Sequence, residues 1–150
     1  MLGELLFVLF IGVVCIAMTI VGGIWLVMRV WRRKLSRTVA KVNLECGTNF
    51  EMSSTAVMGS WIGKALLFDQ KNKKLMLYSN GRYTLHNYDH IRGWNLHWIE
   101  STGPAGNIVH KGVRVVIEMN DLNRPLQSFP MSSKSQGDVW NQRLALLLNR

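Results

Sequence analysis

The sequence predicts an α+β fold in which one N-terminal transmembrane helix precedes a small antiparallel β roll closed by a C-terminal amphipathic helix. Three features carry this expectation. Leu5 to Met28 is uncharged and apolar, short β-like runs follow one another between Lys64 and Met131, and Trp140, Leu144, Leu147 and Leu148 fall on one helical stripe. Of the 150 residues, about 110 remain for a folded domain once the apolar start is set aside, which is room for one small core.

The first element follows from length. The 24 positions from Leu5 to Met28 hold no charged residue, and at about 1.5 Å per residue they make a helix of roughly 36 Å, enough to cross a bilayer with some tilt. A cleaved signal peptide would want a basic start, a shorter apolar region and a small-residue cleavage site. Here Glu4 is the only charged side chain before the span, and the segment ends in Trp25, Trp31 and a basic cluster. Residues 1–30 are therefore read as an uncleaved transmembrane anchor.

Arg29, Arg32, Arg33, Lys34, Arg37 and Lys41 all lie on the C-terminal side of the span. Because such cations are retained in the cytoplasm, the expected topology is single-pass in a bacterial inner membrane, with the N-terminus periplasmic and the C-terminal domain cytoplasmic. Leu35, Val39 and Val42 recur at helical spacing among these cations, so residues 31–42 read as a basic juxtamembrane stalk and 43–150 as the domain.

A net charge of +9 invites a nucleic-acid reading, but the excess is local: residues 29–41 hold six cations and no anion, while residues 42–150 hold twelve cations and eight anions. A juxtamembrane cluster sets topology and attracts anionic headgroups, each cation near the surface contributing on the order of 1 kcal/mol. Nucleic acid is thus an unfavoured partner. Cys15 lies in the span and Cys46 beyond it, so with this topology the two cannot meet and both are expected as free thiols.

Glu45 to Ser60 has no clear period, and Gly47, Thr48, Asn49, Ser53, Ser54 and Thr55 suggest turns or one weak strand. From Lys64 onward the pattern is β. Ala65–Phe68 and Leu75–Tyr78 flank the polar turn Asp69–Lys74, and Asn80-Gly81 suits a two-residue type I′ turn into a strand over Arg82–Asn87. A strand over Ile91–Glu100 would alternate so that Trp94, Leu96 and Trp98 share one face. Ser101–Gly112, with Gly103-Pro104, Gly106 and Gly112, reads as a long exposed hairpin connection to a β-branched strand over Val113–Met119. Leu126–Met131 is expected at an edge, because Pro125 and Pro130 cannot donate to a ladder. Ser133 and Gln136 form a capping-box pair before the final helix.

The order of elements over residues 64–150 resembles small bacterial pleckstrin-homology-like domains. The residues that carry the likeness are Leu67-Phe68-Asp69 with Lys73-Lys74-Leu75, the run from Tyr88 to Trp94, and the closing helix with Trp140. The whole chain also looks like the short membrane-anchored proteins that conjugative plasmids encode to exclude related incoming plasmids. That resemblance implies a pleckstrin-homology-like roll and, as partner, another membrane protein belonging to the conjugation machinery.

Residues with chemical potential are few. His86 and His90 are four apart, a spacing that serves a helix and not a strand; His86 ends a strand and His90 sits in the turn before the next, so their rings need not converge, and with His97, His110 and Cys46 they make no recognisable metal motif. Gly59-Ser60-Trp61-Ile62-Gly63-Lys64-Ala65 departs from a phosphate loop in its glycine spacing and in Ala65. No pair of acids suggests general acid–base chemistry, and Asp89 is expected to cap the turn before Ile91. Hence neither catalytic residues, metal nor cofactor is expected. Arg92, Trp94, Trp98, Asn107 and His110 are the candidate partner-binding residues, with an Arg92–Trp94 stack as an internal brace or a binding surface. Gly12, Cys15, Thr19 and Gly23 form a candidate helix–helix seam for a homodimer.

Three function classes are consistent with this pattern. The first is a non-catalytic module whose domain binds a partner protein, with plasmid exclusion during conjugation as its specific form; the second is a membrane-surface sensor of anionic lipid or ligand. An enzyme using the histidines ranks last.

Overall fold

The computed structural model describes residues 2–59 and 63–148, with side chains from Phe10 onward. A single helix, α1 (Leu2–Cys46), contains both the apolar run and the basic segment. It is long and apolar enough to cross a membrane, and every described side chain from Phe10 to Val27 is exposed. Gly47 ends it with φ +61°, a left-handed stop that costs glycine little.

Four antiparallel strands form sheet A in the order β1 (Val57–Met58), β2 (Lys64–Asp69), β3 (Lys74–Ser79), β4 (Arg82–Asn87). Both central residues of the β3–β4 turn take positive φ, Asn80 at 49° and Gly81 at 81°, as a type I′ hairpin requires. β1 pairs with β2 through Val57 and Leu67, so one weak strand of the turn-rich segment does join the sheet.

The β2–β3 pair of sheet A is buried on both faces, which explains why these strands read as unbroken apolar runs, whereas β4 is largely exposed. Leu66, Phe68, Leu75 and Leu77 point into the main core, whereas Ala65, Leu67, Met76 and Tyr78 pack against Leu35, Val39 and Val42 of α1 and Phe50. The basic segment is therefore more than a tether. Burial of each of those three α1 side chains contributes roughly 1.5–3 kcal/mol, an upper estimate because the unfolded chain is itself partly collapsed.

A single 3₁₀ turn over Tyr88–His90 leads into sheet B, ordered β5 (Ile91–Thr102), β6 (Ile108–Met119), β7 (Leu126–Pro130). Two expectations are corrected here. The β5–β6 connection is short, because pairing continues to Thr102↔Ile108 and only residues 103–107 form the loop, closed by Gly103 N–H to Asn107 O at 2.7 Å. Simple alternation also fails. The register shifts at Arg92, between Ile91↔Met119 and Gly93↔Glu118, as in a β-bulge, so Ile91 and Trp94 both face the core despite an odd separation. A second irregularity, between His97 and Ile99, falls opposite Gly112, whose φ is +60°.

Helix α2 (Lys134–Leu148) covers the core against β5 and β6. Ser133 Oγ accepts the Gln136 N–H at 3.2 Å, while the Gln136 side chain reaches back to Ser132 N–H at 2.7 Å, one residue earlier than the standard box. Trp140 and Leu144 are buried, with Leu147 and Leu148 packed beside them. Gly137 lets the helix approach closely: an added Cβ would lie 2.6 Å from Leu96 Cδ1.

Candidate functional site

Two surfaces hold the residues with most to offer a ligand or partner. One is a cavity of about 460 Å³ between the membrane-proximal part of α1 and the domain. Arg29, Arg32, Arg33 and Ser36 line its helix side, and at 100° per residue they fall within roughly a 100° arc of α1. The segment 52–54, Gln136 and Trp140 close the other side, and no carboxylate is among the lining residues. Trp31 also lines it; its ring meets Tyr78 edge-on at 6.2 Å, and its buried indole N–H has no hydrogen-bond acceptor among the described residues. Arg29 stacks over the Trp25 ring at 4.9 Å, one turn nearer the apolar run.

The other surface is the two-stranded arm made by the outer parts of β5 and β6. β7 pairs only with Arg114–Glu118, so Trp98–Thr102 and Ile108–Lys111 project beyond it. Ile99 and Ile108 are 67% and 69% exposed, a notable burden of apolar surface on so short a ribbon. On one face Trp98 donates to Glu100 Oε1 at 3.2 Å, meets His110 at 6.4 Å and lies under the Lys134 ammonium at 4.8 Å.

The proposed partner-binding residues divide between the arm and its base. Trp98 and His110 meet on the arm and Asn107 sits in its loop, whereas Arg92 occupies the bulge at the far end of β5. Trp94 is packed against the core and donates its N–H to Asn141 Oδ1 at 2.8 Å, bracing α2. Gly12, Cys15, Thr19 and Gly23 are all exposed on α1, and the Thr19 hydroxyl is satisfied within its own helix by Cys15 O and Ile16 O. Of the basic cluster, Arg29, Arg32 and Arg33 line the cavity, Lys34 and Arg37 are exposed, and Lys41 pairs with Glu45 at 3.7 Å.

The histidines lie closer than their spacing requires. His86 and His90 do converge, with ring centroids 4.7 Å apart, because the 3₁₀ turn doubles the chain back on the end of β4. Burial first and the neighbouring His90 second hold His86 below the usual imidazole value, against the pull of Asp121. No third ligand joins them: no group of three or more His, Cys, Asp or Glu suited to a metal exists among the described residues. Of the glycine-rich string, Ser60, Trp61 and Ile62 lie outside the described residues, and Lys64-Ala65 begin β2.

The turn before Ile91 has no side-chain cap hydrogen bond at Asn87, and the carboxylate that does organise a turn is Asp69, in the β2–β3 connection. Asp89 is exposed, while Asp69, 1% exposed, accepts Asn49 N–H at 2.7 Å, Asn72 N–H at 3.1 Å and the Asn72 amide at 2.6 Å. Burial pushes its carboxyl up, but these donors together outweigh it and hold the group below the usual carboxylate value. Asp69 thereby ties the chain leaving α1 to the β2–β3 turn. Burial, then the Asp69 charge, pushes the nearby Tyr88 phenol up to about 12, and its hydroxyl has no hydrogen-bond partner among the described residues. Both roles are structural.

Comparison of the chain with protein-family models, with curated proteins and with solved structures finds no significant match.

Proposed function

We propose that the chain is a non-catalytic, membrane-anchored binding module whose domain engages a second membrane protein through the β5–β6 arm. The observation that carries this reading is the arm itself: Trp98, Ile99 and Ile108 are held clear of β7 on a ribbon that adds nothing to the core around Ile117 and Phe129. Anchoring supports it further, because confinement to one surface raises the effective concentration of a partner in the same membrane. The α1 helix crosses a bacterial inner membrane once, with residues 29–148 on the cytoplasmic side, following the cations after Met28.

The resemblance of the chain to plasmid-encoded exclusion proteins narrows the partner to a component of an incoming plasmid's conjugation machinery. Expression in recipient cells then lowers uptake of the related plasmid by at least tenfold, and Ile99→Glu with Ile108→Glu restores it. Ordinary uptake in cells that contain the protein in their membrane would remove the exclusion role. A photo-crosslinker at Ile108 tests the binding module separately: one discrete membrane-protein adduct, missing when the probe sits at Arg82, supports it, and equal labelling from both positions refutes it.

A further inference from the structure

We propose that the cavity between α1 and the domain is a binding site for a phosphate-bearing anion, presented as the headgroup of an anionic phospholipid in the membrane that α1 crosses. The proposal rests on the membrane reading of α1 but not on the protein partner. Topology alone requires that cations follow a span, not that they converge. Here three guanidinium groups, from Arg29, Arg32 and Arg33, line one concavity, and none of them forms an ion pair with a carboxylate among the described residues. Guanidinium suits phosphate in particular, since its planar fork donates two parallel hydrogen bonds to two oxygens of one group.

Position and polarity agree with that ligand. Arg29 directly follows the apolar run, so about 10 Å of helix from Arg29 to Ser36 places the cavity at headgroup depth. Trp25 and Trp31 flank it at the level where indoles favour the membrane interface. A volume of about 460 Å³ falls within the range of small-ligand sites, roughly 300–1,000 Å³. Its two walls belong to different parts of the chain, so an occupied site would fasten the domain to the bilayer in one orientation.

Hydrogen exchange of the full chain in lipid nanodiscs tests this. Replacing phosphatidylcholine with phosphatidylglycerol slows exchange of the 52–57 backbone, which borders the cavity, at least threefold. Arg32→Gln with Arg33→Gln abolishes the difference; Lys34→Gln with Arg37→Gln, an equal loss of charge outside the cavity lining, retains it. Equal loss in both variants would reduce the effect to diffuse attraction and overturn the site. Inorganic phosphate added to phosphatidylcholine discs gives less than a third of the protection; full protection by phosphate alone would overturn the lipid as its source. A chain that extracts from membranes without detergent refutes the membrane reading itself, whereas a membrane-retained chain with no lipid-dependent protection refutes only the site.

Discussion

The two halves of α1 invert the usual relation between hydrophobicity and burial. From Phe10 to Val27 the helix is uniformly apolar, yet none of its side chains is covered by the rest of the protein. From Trp31 to Cys46 it is dense in cations, yet Leu35, Val39 and Val42 are 0%, 4% and 0% exposed against sheet A. The difference lies in periodicity. An all-round apolar helix has no preferred face and suits lipid, whereas a narrow apolar stripe among charges has one face and finds one partner.

Paired truncations break this comparison most directly. Leu35→Ala empties a fully buried site and is expected to cost about 3 kcal/mol of domain stability. The same chemical change at Ile16, which touches no part of the domain, is expected to cost less than about 0.5 kcal/mol. Urea unfolding in detergent, followed by near-ultraviolet circular dichroism of the domain, measures both. Equal effects would mean that the basic half of α1 is not part of the core.

Asp69 sharpens the same boundary from the domain side, because it holds the Asn49 N–H just beyond the end of α1. Asp69→Ala leaves that donor and the Asn72 donors without a buried acceptor, a loss of about 2 kcal/mol. Since the folded carboxyl titrates below its ordinary value of 3.8, the unfolded state takes up the proton first on acidification. The stabilisation is therefore complete above that value and lost as pH falls through the depressed folded one. Unfolding midpoints between pH 6 and pH 2.5 should fall more steeply for the parent chain than for Asp69→Asn.

These interactions also mark what could be read without a structure. The long apolar helix, the type I′ turn, the capped Trp140 helix and the order of β2–β7 were legible, because each is specified by local periodicity or by a turn residue with one conformational use. Residues 45–58 were not, since polar contacts order them: Asn43 Oδ1 accepts Phe50 N–H at 2.9 Å and the Thr48 hydroxyl at 3.0 Å, and Thr48 also donates to Val42 O. No hydrophobic period records such a clamp. The bulge at Arg92 was equally silent, as a register shift of one residue changes which side chains share a face without altering composition. The cavity was half visible: the arc of Arg29, Arg32, Arg33 and Ser36 lies in the sequence, but its opposite wall comes from segments distant in the chain, one at Gln136 and one over 52–54, before β1.

The two cysteines give the gentlest test, because they sit on opposite halves of one helix and are both exposed on its surface. Surface exposure in the protein is not exposure to water if the first half lies in lipid. A membrane-impermeant maleimide applied to inverted inner-membrane vesicles should label Cys46 and leave Cys15 unmodified, with both reacting once detergent and denaturant are added. A Cys15→Ser variant then labels like the parent, and Cys46→Ser does not label. Reaction of Cys15 in sealed vesicles would place the apolar half in water, and the different fates of the two halves would need another cause than solvent. Protection of Cys46 until the vesicles are opened would keep the span and reverse its orientation, with the arginines of α1 outside the cytoplasm.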